Sequence, residues 1–292
     1  MFETFFTKEN KNKTMTMILA FIAFIILFFS YFNKDSISIY FFNVGQGDSQ
    51  LIDIRENKNN IQFLIDGGPL NSNALHEMNN VLGLTDKYID IIFLSHSQLD
   101  HFGGLIDIIK TYKIGLFVYN GVNTKNPSFL ELANILNENQ IKVLKVSKGD
   151  KVKYKDFIIE ILHPTKNSLL VDDINESSLV LKFTYKSINT LFTGDIGSIT
   201  ENKIINENIS SEILKVPHHG SRYSSSINFL NSVKPIISVI QVGKNSYGHP
   251  TEDTLNNLDS IGSQVFRNDL DGTIRIDLTS DKINIYKNEN LK

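Results

Sequence analysis

Residues 91–104, Ile-Ile-Phe-Leu-Ser-His-Ser-Gln-Leu-Asp-His-Phe-Gly-Gly, leave little choice of local structure. An unbroken apolar run stops at His96-x-x-x-Asp100-His101, and two glycines then open a periodic apolar segment. This is the pattern of a buried strand, a loop and the start of a helix. Imidazole and carboxylate together are the donor set of a divalent metal of the zinc or manganese type. A loop at the end of a buried strand would fix such donors while leaving positions open for water or substrate. His96, Asp100 and His101 are therefore candidate metal ligands, and the rest of the chain is read for what completes such a site.

Composition excludes several alternatives. The chain has 292 residues and no cysteine, so neither disulfides nor thiolate zinc sites are available. A formal net charge of −3 and the lack of a large Lys/Arg block weigh against a strong electrostatic grip on nucleic acid. Residues 14–32 carry no charge and follow Lys8, Lys11 and Lys13. At about 1.5 Å per residue such a stretch reaches roughly the ~30 Å of a bilayer core. The reading is a short cytoplasmic tail over 1–13, a transmembrane anchor over 14–32 and a hydrolase domain over 33–292. The flanking lysines place the N-terminus inside and the domain outside the cell membrane. A cleaved signal peptide is the rival, but Phe29–Asn33 lacks the small residues of a cleavage site.

From residue 36 onward, hairpin-like strands alternate with helical segments, and histidine-bearing loops follow strands at His96/His101, His163, His218/His219 and His249. Asp195 occupies the same kind of place. The expected architecture is α/β, with two sheets packed face to face, helices outside and strand-end loops converging along one edge.

Several motifs then carry a resemblance. His96–His101 is similar to the His-x-His-x-Asp-His signature of the metallo-β-lactamase fold superfamily, and Thr193-Gly194-Asp195 to its bridging-aspartate motif. More narrowly, Asn43–Asp48 (Asn-Val-Gly-Gln-Gly-Asp), Leu64–Gly68, Leu191–Asp195, Leu214–Ser221 (Leu-Lys-Val-Pro-His-His-Gly-Ser), Tyr247–Pro250 and Asp269–Gly272 resemble the lactamase-like domain of the ComEC family of DNA-uptake (competence) proteins. They run in family order over about residues 38–278. The resemblance implies an αββα sandwich and a metal-dependent hydrolase, a phosphodiesterase or nuclease acting on single-stranded DNA. It also implies one or two divalent ions, Mn or Zn with Mg as a further option, and DNA-uptake proteins as partners.

Two departures bear on the metal. Gln98 stands at the superfamily's second histidine, which members of the ComEC group often lack as well. The third histidine is expected near Asn175–Ser178, which has none. The first metal position then keeps His96 and Asp195, and the second keeps Asp100, His101, Asp195 and a histidine of the 218–219 pair. An oxygen-rich, histidine-poor set favours manganese or magnesium over a tight zinc pair. Neighbours on a strand point oppositely, so one of His218 and His219 is free to bind metal while the other orients it or touches substrate, and spacing leaves either as the ligand.

Asp100 and Asp195 are the residues on which catalysis would rest. Gln98, His249, Ser221 and Arg222 are candidates for substrate binding, with Asp66 and Asp48 hydrogen-bonding behind the metal-bound histidines. A packed loop histidine is the alternative reading of His249, while His163 before Pro164 reads as structural and His76 as irrelevant. The fold alone does not select the substrate. Hydrolysis of another ester or of a cell-envelope phosphodiester is the enzymatic alternative. A catalytically weak binding partner of an envelope machine is the alternative of another class.

Overall fold

The computed structural model describes residues 15–25, 36–56, 59–83, 85–165, 173–279 and 282–287. Residues 15–25 form a helix, α1, whose side chains are exposed. Among the described residues no helix is long and apolar enough to cross a membrane. Residues 14 and 26–32 of the expected anchor lie outside them.

Two sheets form the body. The first has eight strands in the order β15-β14-β1-β2-β3-β4-β5-β6, and the second seven in the order β13-β12-β11-β10-β9-β8-β7. In the first, β1 (Ser36–Phe41), β2 (Gln50–Glu56), β3 (Asn59–Ile65), β14 (Ile274–Leu278) and β15 (Ile283–Tyr286) pair antiparallel. From β3 the sheet continues in parallel through β4 (Tyr88–Leu94), β5 (Lys113–Tyr119) and β6 (Lys142–Lys145). The second sheet repeats this scheme. The strands β7 (Lys151–Tyr154), β8 (Phe157–His163), β9 (Val180–Tyr185) and β10 (Ile188–Phe192) are antiparallel. Parallel pairing then runs through β11 (Ile213–Lys215), β12 (Ile237–Ile240) and β13 (Gln264–Arg267).

The apolar pattern explains the layers. Strand β4 does not alternate because it is covered on both faces, as parallel strands are. Phe93 joins the core between the sheets, while Ile92 and Leu94 pack under helices. Phe63 meets Phe157 edge-on at 5.7 Å and Phe41 meets Phe192 at 6.0 Å, each pair joining one sheet to the other. Outside the first sheet lie α2 (Asn73–Leu82), α4 (Leu105–Thr111) and α5 (Pro127–Glu138). Outside the second lie α6 (Ser198–Ile204), α7 (Ile227–Val233) and α8 (Glu252–Ser260). The result is the two-sheet sandwich with outer helices that the sequence led us to expect.

Three short helices have no counterpart in the apolar pattern. The first, α3 (Leu99–Phe102), carries Asp100 and His101, which were expected on a loop, and α9 (Asn268–Asp271) occupies the C-terminal turn. Both are too short for a 3.6-residue period to show. In α6 the buried residues are Thr200, Glu201 and Ile204, so a polar pair hides the amphipathic signal.

Candidate metal centre

Three glycine-bearing loops interlock beneath the site. The Asp48 amide donates to Asp100 O (3.1 Å), the Gly67 amide to His101 O (2.7 Å) and the Gly104 amide to Gly68 O (3.0 Å). A Cβ on Gly47 would collide with the Asp100 carbonyl and one on Gly104 with the Gly67 carbonyl, so these approaches require glycine. Gly-Gln-Gly-Asp and Asp-Gly-Gly thus form the bed on which the His96–His101 segment rests.

His96, His101 and His219 are fully or almost fully buried. The Nδ1 atom of each is engaged. His96 Nδ1 meets Ser95 Oγ at 3.0 Å, His101 Nδ1 meets Asp66 Oδ2 at 2.8 Å and His219 Nδ1 meets Gln241 O at 2.8 Å. The Nε2 atoms have no hydrogen-bond partner, although burying such a group unpaired is costly. They converge instead on carboxylates. Asp195 Oδ2 lies 3.3 Å from His101 Nε2 and 3.2 Å from His219 Nε2, and Asp100 Oδ2 lies 3.4 Å from His219 Nε2. His96, His101 and Asp195 form one group able to hold a cation, and Asp100, His101 and His219 a second. Imidazoles with the outer nitrogen held and the inner one aimed at carboxylates are the arrangement of a divalent metal site, so the residues present fit the ion.

The electrostatics agree. Burial alone would push His101 and His219 down, yet the Asp195 carboxylate beside each holds both well above the usual histidine range. Burial and the neighbouring His101 drive His96 down to about 3. Burial would raise Asp195, but His219, His101 and Lys215 hold it well below the usual carboxylate range. The cluster demands positive charge where the Nε2 atoms meet.

The structure separates His218 from His219, though not by strand alternation. Strand β11 ends at Lys215, and the two histidines follow in a 3₁₀ turn with left-handed backbones (φ 50°, ψ 45° and φ 52°, ψ 24°). Such conformations are unfavourable for L-residues. Bonds from His218 N to Gly194 O (3.2 Å) and from Thr251 N to Gly220 O (2.9 Å) hold the turn. His219 turns into the buried cluster. His218 is partly exposed, with Nε2 4.0 Å from Asp195 Oδ2 and 3.4 Å from Asn175 Nδ2.

A cavity of about 510 Å³ opens over the cluster, lined among others by Gln98, Asp100, Asn175, His218, Tyr247 and His249. The structure therefore brings Gln98 and His249 to it but neither Ser221 nor Arg222. Ser221 is buried, its hydroxyl accepting from Tyr223 N (3.3 Å). Arg222 is exposed. Burial, then the neighbouring His218 and His219, push His249 down to about 4, and the Arg222 charge adds only a little to this. Asp66 accepts from Ser95 N (2.7 Å) as well as facing His101. Asp48 Oδ1 lies 3.3 Å from His219 Nδ1. His163 stays out of the cluster: its Nδ1 meets Ser178 O at 3.0 Å, and Ser178 Oγ accepts from Asp195 N (3.2 Å). His76 is exposed on α2.

Lys215 escaped the reading of the sequence. It is fully buried, its Nζ paired with Asp48 Oδ2, donating to Gly194 O (2.9 Å) and lying 3.5 Å from Asp195 Oδ1. Asp195 thus presents Oδ2 to the histidines and Oδ1 to a lysine. The one signal available was a lysine in an apolar run, at the end of a strand and three residues before His218.

Two facing sheets between helix layers, with histidines and aspartates gathered at one edge, define a class of metal-site protein. Residues 43–244 match the family described as the metallo-beta-lactamase superfamily, and the chain belongs to that superfamily. It is 28% identical to ComE operon protein 3 of Bacillus subtilis (strain 168), over 80% of this chain and 32% of that protein. It is 27% identical to competence protein ComA of Neisseria gonorrhoeae, over 87% and 35% respectively. The chain therefore spans about a third of the length of these curated relatives. In fold it is similar to the metallo-beta-lactamase fold protein YhfI of Bacillus subtilis, with a TM-score of 0.56, 11% identity and coverage of 80% of this chain and 96% of that one.

Proposed function

We propose that the chain is a metal-dependent phosphodiesterase acting on single-stranded DNA, held at a cell membrane by residues 14–32 with its domain outside. One observation carries the reading. Three buried imidazoles are held at Nδ1 and keep Nε2 atoms without a hydrogen-bond partner below an open cavity. Those of His101 and His219 face Asp195 and Asp100, and His96 groups with His101 and Asp195. His96, Asp100, His101, Asp195 and His219 would hold one or two divalent ions. Such an ion supplies an acidified water and Lewis-acid polarisation of a phosphoryl oxygen.

The chain's own residues do the rest. Asp66 and the Gln241 carbonyl fix which nitrogen of His101 and His219 faces inward. Gln98, Asn175 and His218 present amide and imidazole groups along the cavity, suited to orienting a diester's oxygens. DNA as substrate and DNA-uptake proteins as partners rest on the similarity to competence proteins. The test is hydrolysis of a labelled oligonucleotide by the purified chain with added metal. No turnover with any of manganese, magnesium or zinc would reject the reading.

A second reading, a binding partner with little catalysis, is favoured by one feature. Gln98 and the stretch Asn175–Ser178 carry no histidine where a superfamily site would have one, and Gln98 and Asn175 line the cavity as amides. The same feature bears on the metal: an amide is a poor zinc ligand, and manganese accepts oxygen donors. After chelation, manganese is expected to restore more activity than zinc. Two tightly held zinc ions per chain, measured by elemental analysis, with no response to manganese would overturn this.

The membrane reading makes its own prediction. Protease added to intact cells should remove the domain and leave a small membrane fragment. Full protection, or release of a soluble mature form, would reject it.

A further inference from the structure

The loop after β12 reaches the cavity mouth with a side chain that the chemistry above does not use. Tyr247 lines the cavity, yet 71% of it is exposed. Its ring lies 5.7 Å from that of His249 at an interplanar angle of 33°, and His249 lies 5.7 Å from His218 at 79°. The three rings form a row from solvent to the edge of the cluster.

The backbone beneath this row is fixed. Asn245 Oδ1 accepts from the amides of Tyr247 and His249 (both 3.1 Å), and Asn245 Nδ2 donates to Gly243 O (2.9 Å) and His249 O (2.8 Å). Thr251 N then ties the loop to the histidine turn through Gly220 O. One asparagine thus makes four hydrogen bonds to hold an aromatic ring in water, where the ring gains nothing from burial. The buried Nδ1 of His249 has no hydrogen-bond partner. An exposed ring carried on a fixed backbone at the mouth of the cavity is organised for a ligand with a flat face.

We propose that Tyr247, backed by His249 and His218, is a base-stacking subsite for single-stranded nucleic acid, holding a nucleotide next to the one at the metal centre. An aromatic face takes any base, so the subsite would be tolerant of sequence. Unpaired bases fit it and a duplex does not, because stacked, paired bases offer no free face. Sugar rings also pack on aromatic faces. The exposed Lys244 of the same loop and the exposed Arg222, whose charge is felt at His249, favour a polyanion over a neutral glycan.

The proposal rests on the phosphodiesterase reading for the chemistry of the backbone, and the test separates the two. Binding is measured by fluorescence anisotropy on the full chain in detergent, with labelled oligothymidylate, an abasic oligonucleotide of equal length and a glycan fragment as competitor. Tyr247→Ala is expected to weaken oligothymidylate binding by roughly tenfold or more, the scale of one lost base stack. Tyr247→Phe should stay within about twofold, and the abasic strand should bind wild type and Tyr247→Ala alike. Equal oligothymidylate binding by wild type and Tyr247→Ala, equal weakening on the abasic strand, no oligonucleotide binding at all, or glycan competition lost with Tyr247 would each overturn the subsite. Binding through Tyr247 without DNA hydrolysis would leave the subsite standing and remove the catalytic reading. DNA hydrolysis with KM unchanged in Tyr247→Ala would do the reverse.

Discussion

Asp195→Ala is expected to cut hydrolysis of single-stranded DNA by at least ~100-fold, the scale on which removal of single groups at such sites is felt. Asp195 Oδ2 is in contact with both His101 and His219, and Asp195 is a member of the group that contains His96. Its loss removes the charge that draws a cation to the meeting point of the Nε2 atoms. Asp100→Ala should behave alike, since Asp100 is the other carboxylate facing His219 Nε2. Metal content by elemental analysis should fall in both variants, and circular dichroism should show an intact fold. The fold survives because Lys215 still faces Asp48, and the removed carboxylate lies at the sheet edge rather than among the three apolar clusters. His76→Ala, on an exposed face of α2, should stay within about twofold. Near-normal turnover in Asp195→Ala would favour the binding-partner reading.

Lys215→Met is expected to cost about 3–5 kcal/mol of stability, the range found when one partner of a buried ion pair is removed. Lys215 is the buried cation that faces both Asp48 and Asp195 Oδ1, and burial is tolerated because those carboxylates hold its pKa above the usual lysine value. Methionine fills similar space without the charge, so two carboxylates remain buried against each other. Urea unfolding in the presence of a chelator measures the loss. Adding Asp48→Asn to Lys215→Met should recover part of it, whereas independent sites would give additive losses. A cost within about 0.5 kcal/mol would show that the ammonium does not hold the two carboxylates in place.

Local chemistry made much of this molecule legible. The strands and the longer helices follow from apolar periodicity, with Asn126 and Thr251 capping α5 and α8 as such residues do. His96, Asp100 and His101 could be grouped because few residues separate them and an apolar strand leads into them. Tertiary packing decided what depends on residues far apart in the chain. That Asp48 meets Lys215 and His219 is settled where the two sheets' edges come together. In the sequence, Lys215 reads as a charge on a strand, and only burial on every side turns it into a counter-ion. That His219 rather than His218 enters the buried cluster follows from two left-handed residues, a conformation that no propensity of histidine announces and that the bonds to Gly194 and Gly220 hold. Periodicity and residue type report what a segment does with its own neighbours. Burial of charge and convergence of donors are properties of the space between segments, and they exist only once the sheets have closed on each other.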